Sequence, residues 1–165
     1  MATIRPGEAS DVPGIVEIIN HYVVHTPVTF AVEPYTLETR MAWFEQFAPT
    51  GRHRLFVAER DGKVLGWSAS GPFRAKAAYE TTAETAIYTA QGEEGQGLGT
   101  RLYERLFEAL RGEDLHRLVA GVTLPNEPSV RLHARMGYER LGVFTAVGRK
   151  FDQYWDVAWF ERPAP

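Results

Sequence analysis

The sequence predicts a mixed α/β (α+β) domain with one mixed sheet. Strand-like and helix-like segments follow the order β-α-α-β-β-β-α-β-α-β-β, and the consecutive strands disfavour a regular doubly wound sheet. An Asp61-Gly62 pair between two β-type runs marks a tight hairpin. Leu98, Leu102, Leu106 and Leu110 recur at i, i+4 spacing and mark a strongly amphipathic helix.

Each element has a local reason. Ala2–Arg5 reads as a short first strand. Ser10 is placed to cap the first helix, with Asp11 in its first turn and Pro13 tolerated there. Val12, Ile15, Ile19, Tyr22 and Val23 then recur at helical spacing, and the helix should fade at Thr26-Pro27. Thr36 is placed to cap a second helix over Leu37–Phe47, ended by Pro49 and Gly51. Arg54–Arg60 and Lys63–Ala69 flank the hairpin turn, and Gly71-Pro72 interrupts the second of them. Ala83–Ala90 is the next strand. A glycine-dense loop, Gln91–Gly99, leads from it into the leucine helix. His116–Thr123 is again β-type, and Pro125-Asn126 breaks it. Asn126 lies at or near the cap of a helix over Glu127–Met136, which Gly137 ends. Tyr138–Thr145 and Tyr154–Phe160 close the chain as strands, with Gly148 between them.

Composition bounds the function. The chain has 165 residues, enough for one domain with a real core, expected to span residues 1–165. It has no cysteine, which excludes disulfides, thiolate metal sites and a cysteine nucleophile. Basic residues number 18 against 21 acidic, with no basic run, so no nucleic-acid partner is expected. No apolar stretch approaches the ~18 residues of a membrane helix. The start, Met-Ala-Thr-Ile-Arg-Pro, lacks a signal-peptide pattern. The expectation is a cytoplasmic protein that binds no membrane. His21 and His25 stand at i, i+4 without a third ligand, so no metal is expected.

The sharpest local feature is Glu94-Gly95-Gln96-Gly97-Leu98-Gly99-Thr100, between a strand and a helix. Glycines let successive amides curl inward, and the helix dipole adds positive potential at the same spot. A phosphate or pyrophosphate is the natural ligand. The dinucleotide-binding spacing fails, because it needs glycine at Thr100 or Leu102, and no Gly-Lys-Ser/Thr appears. A glycine-rich loop without a ligand is the alternative.

Here the chain resembles the GNAT superfamily of acetyl-CoA-dependent N-acetyltransferases, in which the loop reads Gln/Arg-x-x-Gly-x-Gly/Ala. More closely, it resembles the phosphinothricin and methionine sulfone/sulfoximine branch, over almost its whole length. The matching stretches include Ile19–Tyr22, Gly71–Tyr79, Ala83–Tyr88, Gly97–Tyr103, Leu124–His133, Met136–Tyr138 and Tyr154–Val157. Their order and spacing together carry the resemblance. It implies the GNAT fold, a single mixed, mostly antiparallel sheet flanked by helices. It implies acetyl-CoA as cosubstrate, a small-molecule amine as substrate, and a homodimer. The aromatic segment Phe151, Tyr154, Trp155, Trp159 and Phe160 serves such an interface or the core. Two positions depart from the branch. Glu94 stands where Gln or Arg is usual, which should weaken CoA affinity. Phe73 with Arg74-x-Lys76 replaces Trp with Lys-x-Arg, which keeps the charge and moves the guanidinium.

The resemblance assigns roles. Glu84 matches the family's general base, taking a proton from the amine directly or through water; a solvent-facing or ion-paired strand carboxylate is the alternative. His133 stands where many relatives carry the tyrosine that protonates the leaving thiolate; Asn126, Ser129 and His133 share one helical face. The other reading of His133 is a hydrogen-bonded core or surface histidine. Gly95, Gln96, Gly97, Leu98, Gly99 and Thr100 are expected around the pyrophosphate. Backbone groups of Ile87, Tyr88 and Thr89 should serve the pantetheine, and one N–H the thioester oxyanion. Asn126 and Ser129 should line the same arm, although Asn126 equally reads as a helix cap. Tyr103 reads more as core than as a CoA neighbour. Arg74, Lys76 and Tyr79 precede Glu84 and suit an acidic, amino-acid-like substrate; solvated surface charge is the alternative. Phe30 and Phe73 would wall the pocket or belong to the core. Without a cysteine to carry the acetyl group, transfer should be direct, within a ternary complex. The competing readings are a GNAT for another amine, such as a protein N-terminus, and a non-catalytic CoA-binding module. The Arg74/Lys76 pair opposes cationic substrates such as polyamines.

Overall fold

The computed structural model describes the residues from Met1 to Pro165. Its strands are β1 (Thr3–Pro6), β2 (Arg54–Arg60), β3 (Lys63–Pro72), β4 (Thr82–Thr89), β5 (Arg117–Leu124), β6 (Glu139–Lys150) and β7 (Gln153–Pro163). Its helices are α1 (Val12–His25), α2 (Leu37–Phe44), α3 (Leu98–Leu110) and α4 (Glu127–Arg135). The strands form one sheet in the order β1-β2-β3-β4-β5-β7-β6. Neighbours are antiparallel, except β4 and β5, which are parallel. No helix is long and apolar enough to cross a membrane.

The sheet is covered on both faces. Along β2, Phe56 and Ala58 join the apolar cluster built on α3, while Leu55 and Val57 join the one built on α1. The period of two in a strand divides one segment between two cores. The β2–β3 turn has Asp61 and Gly62 both left-handed (φ 54 and 77), the geometry a two-residue hairpin requires.

Four boundaries differ from the sequence reading. Ser10 is exposed and caps nothing. Instead the Asp11 carboxylate accepts the Glu8 N–H at 2.8 Å and two bonds from Arg5 at 2.7 and 2.8 Å. The second helix stops at Phe44, and the Phe47 N–H turns back to the Phe44 carbonyl at 3.1 Å. β3 continues through Gly71 to Pro72, because a proline at the end of a strand removes no ladder bond. The last two strands are longer than expected and turn at Phe151-Asp152, both left-handed (φ 54 and 56). Gly148 lies inside β6, opposite Trp155; the ring of Phe30 fills the space where a side chain would stand.

The feature that positions the site is the β4–β5 junction. The two strands pair only at Thr82↔Arg117, Ala83↔Leu118 and Glu84↔Val119. Beyond Glu84, β4 stays with β3 as far as Thr89↔Gly66, and β5 stays with β7 as far as Leu124↔Asp156. The sheet therefore splits at Glu84.

Candidate active site

The split opens into a cleft of about 580 Å³, within the range of small-molecule sites. β4 supplies Glu84 to Thr89, β5 supplies Gly121 to Thr123, and α3 and α4 close the sides. Past Glu84, the β4 edge facing the cleft has no strand partner, so its backbone is free to pair with an extended amide ligand. Ile87 and Tyr88 lie on this stretch. Thr89 is less available, because its carbonyl accepts the Tyr22 hydroxyl at 2.8 Å.

At the wide end lies the glycine loop. Gly92, Gly95 and Gly97 are left-handed (φ 88, 76 and 75), and Gly97 is the N-cap of α3 without a side-chain bond. The first-turn amides of Leu98, Gly99 and Thr100 therefore point outward unpaired. Gly99 has a second reason to be glycine: a Cβ there would stand 3.0 Å from Leu132 Cδ2 and 3.5 Å from Ile87 Cδ1. Its absence lets α3, α4 and β4 close around the cleft. Gln96 is not on the cleft wall; its side-chain amide donates to the Gly92 carbonyl at 3.4 Å. Glu94 is on the wall, but one of its oxygens accepts the Gly92 N–H at 2.8 Å. Glu93 is paired with Arg60 at 2.6 Å.

Glu84 sits at the apex of the split, half-buried, with no hydrogen bond or ion pair to its carboxylate. Burial raises its pKa, and the charge of Arg74 pulls the other way. A carboxylate without a partner, at the closed end of a cleft, is placed to take a proton.

His133, on α4, is 3% exposed. Its Nδ1 lies 2.8 Å from the Ser129 carbonyl oxygen, and its Nε2 lies 3.0 Å from the Tyr103 hydroxyl. A carbonyl only accepts, so Nδ1 carries the hydrogen and Nε2 accepts from Tyr103. Burial lowers the His133 pKa, and the ring is neutral at neutral pH. Burial holds the Tyr103 phenol well above its usual value. Asn126 caps α4 by accepting the Ser129 N–H at 3.2 Å, which leaves its NH2 unbonded on the cleft wall.

The residues expected around the substrate lie beside the cleft, outside its own wall. The Arg74 guanidinium lies over the Phe73 ring at 4.7 Å, and Tyr79 meets that ring edge-on at 5.5 Å. Phe73 in turn packs on Trp159 at 6.1 Å. They form an aromatic and basic cluster at the Glu84 end, where Gly71 of β3 pairs with Glu84; Lys76, two residues past Arg74, is exposed. Phe30 packs on β6 at Gly148, and Val28 is the residue of that segment on the wall.

Sequence reasoning missed Tyr22, Thr85, Arg131 and Arg135 as wall residues, and Tyr103, rightly read as core, also lines the cleft. Tyr103 is fully buried within the α3 cluster, yet its hydroxyl reaches His133 from another helix. Nothing in the linear order signals that meeting.

Comparison with known proteins gives the family and matches the fold. The family described as "Acetyltransferase (GNAT) family" matches residues 15–138. A phosphinothricin N-acetyltransferase of Streptomyces coelicolor is 49% identical over 97% of this chain and 95% of its own. An L-methionine sulfoximine/L-methionine sulfone acetyltransferase of Pseudomonas aeruginosa is 34% identical over 97% of this chain and 93% of its own. The crystal structure of a GNAT superfamily phosphinothricin acetyltransferase from Sinorhizobium meliloti, in complex with AcCoA, superposes with a TM-score of 0.90. That protein is 28% identical, and the match covers 99% of this chain and 88% of that one.

Proposed function

The chain belongs to the acetyltransferase (GNAT) family and is an acetyl-CoA-dependent N-acetyltransferase, and on that premise we propose the substrate and the roles of the residues. The substrate is the α-amine of a small, acidic amino-acid-like molecule of the phosphinothricin or methionine sulfoximine/sulfone type. The relatives' activities support this reading, and so does the positive charge of Arg74 acting on Glu84, with exposed Lys76 two residues further along the chain. One observation carries the mechanism: the sheet splits at Glu84, which puts an unpartnered carboxylate at the head of a cleft with a phosphate-binding loop at its other end.

Acetyl-CoA supplies the activated acetyl group and a thiol leaving group. The open β4 edge at Ile87 and Tyr88, the NH2 of Asn126 and Ser129 line its arm. The amides around Gly95, Gly97, Leu98, Gly99 and Thr100 hold its pyrophosphate by oriented N–H groups and the α3 dipole. Glu84 takes the proton from the attacking amine. An α-amine has a free pKa of ~8, so much of it needs deprotonation near neutrality. His133, expected to protonate the thiolate itself, has no proton to give in this state, since its Nδ1–H is held by the Ser129 carbonyl and its Nε2 accepts from Tyr103. Tyr103 serves the leaving sulfur by turning its hydroxyl proton from Nε2 to the sulfur, and the tyrosinate takes a proton back from water once the thiol has left. A backbone N–H of the open β4 edge stabilises negative charge on the carbonyl oxygen. Transfer is direct, since the chain has no cysteine to carry the acetyl group.

The same reading places the chain in the cytoplasm as a homodimer. Exposed Leu141, Phe144, Val147, Phe151 and Tyr154, all on the β6–β7 hairpin, support the dimer. Of the aromatic C-terminal residues, Phe160 belongs to the core at 2% exposure. A thiol-release assay with acetyl-CoA against phosphinothricin, methionine sulfoximine and a panel of cationic amines tests the substrate. Turnover of the acidic amino acids in preference to polyamines is expected. Equal or better turnover of the cationic amines would overturn the assignment.

A further inference from the structure

Arg131 and Arg135 stand one turn apart on α4, both exposed and both on the cleft wall. Other arginines near this cleft are engaged. Arg60 pairs with Glu93 at 2.6 Å, and Arg101 donates to the Ala2 carbonyl at 2.6 Å. Arg131 and Arg135 have neither a carboxylate nor a carbonyl partner within the chain. The acids of the loop do not supply one: Glu93 is bound to Arg60, and Glu94 turns an oxygen to the Gly92 N–H.

Their position is set by Leu132. It packs on Gly99, where a Cβ would stand 3.0 Å from Leu132 Cδ2. This contact holds the arginine-bearing turn of α4 beside the first turn of α3, where the unpaired amides lie. Two guanidinium groups at i, i+4 lie on one helix face, close enough to grip a single dianion from two sides. Acetyl-CoA carries a pyrophosphate and, separately, a phosphate on the ribose 3′ oxygen. With the pyrophosphate in the glycine loop, the 3′-phosphate is the dianion left to be met at the exposed rim.

We propose that Arg131 and Arg135 form the subsite for the ribose 3′-phosphate of acetyl-CoA and make the enzyme prefer CoA to its 3′-dephospho form. This rests on the reading of the glycine loop as the pyrophosphate seat. The two are tested apart by equilibrium titration of the full chain with CoA, 3′-dephospho-CoA and 4′-phosphopantetheine. The native chain should bind CoA about tenfold more tightly than 3′-dephospho-CoA, as expected for one set of charge-assisted bonds. In the double variant Arg131→Gln/Arg135→Gln, affinity for CoA should fall to that for 3′-dephospho-CoA, while affinity for 3′-dephospho-CoA stays as it was. Arg131→Lys/Arg135→Lys should recover part of the preference. Equal binding of the two by the native chain overturns the proposal. So does a double variant that keeps the full preference, or one that loses 3′-dephospho-CoA equally, which would put the arginines on the pyrophosphate. Failure of the loop reading shows elsewhere, as 3′-dephospho-CoA binding no more tightly than 4′-phosphopantetheine.

Discussion

Replacing Tyr103 by phenylalanine removes a single oxygen, and the structure sets what that costs. The ring should keep its place, because it stacks on Phe107 at 5.2 Å inside the α3 cluster. What is lost is the 3.0 Å bond to His133 Nε2. His133 is 3% exposed, so its abandoned lone pair is poorly served by water. An unmatched buried acceptor costs about 1–3 kcal/mol. For a domain of this length each kcal/mol lowers Tm by about 2–4 °C, so a fall of roughly 2–12 °C is expected. The catalytic effect is separate. If the Tyr103 hydroxyl supplies the proton to the leaving sulfur, kcat falls by about 10²–10⁴, the usual worth of a positioned acid. KM for acetyl-CoA should change little, since the hydroxyl acts in the transition state. Thermal unfolding and steady-state thiol release on the same preparation separate the two effects. A lowered Tm with kcat within about threefold of the native enzyme would refute the catalytic role and leave Tyr103 a structural partner of His133.

Glu84→Gln should depress activity most at low pH, where the amine is protonated, and the deficit should shrink as pH approaches the amine's ~8; a deficit uniform across pH removes Glu84 as the base. Arg74 pulls the Glu84 pKa down, so Arg74→Gln should move the acid limb of the native pH–rate profile to higher pH, and an unmoved limb would separate the two groups. Glu94→Gln removes a carboxylate from the wall of the phosphate seat, and KM for acetyl-CoA should fall about two- to fivefold at low ionic strength, less in salt; no change at low salt would place the phosphates elsewhere. Burial lowers the pKa of both His133 and His53, so below about 6.5 the unfolded chain binds protons that the folded chain refuses. Their contribution to stability is complete above that pH and is lost as pH falls below it. The denaturation midpoint should drop between pH 7 and 5, and less steeply in His133→Gln; equal slopes would mean that His133 titrates normally.

Much of the architecture is legible in the residues. Asp61-Gly62 specifies a turn by backbone conformation, and the leucines at i, i+4 specify a helix face; both are local rules that survive folding unchanged. The β6–β7 turn was not legible, because Phe151 and Asp152 adopt left-handed geometry without glycine. Gly148 misled for a related reason. It is glycine to admit the Phe30 ring, a contact across more than a hundred residues of chain, and not to turn the backbone. Ser10 does not cap the helix: Asp11 holds the N-cap position of α1, and its carboxylate bonds backward to Arg5 and the Glu8 N–H rather than to a helix amide.

The sequence by itself determined the element order, the glycine-rich helix start and the absence of any thiol, because each follows from residue type and short-range spacing. Only the tertiary structure decided that β4 and β5 part at Glu84, because strand divergence depends on which neighbours each strand keeps. It alone brought Tyr103 to His133 and set Arg131 and Arg135 beside the first turn of α3. Those meetings depend on how two helices pack over a split sheet, and no period along the chain encodes that distance.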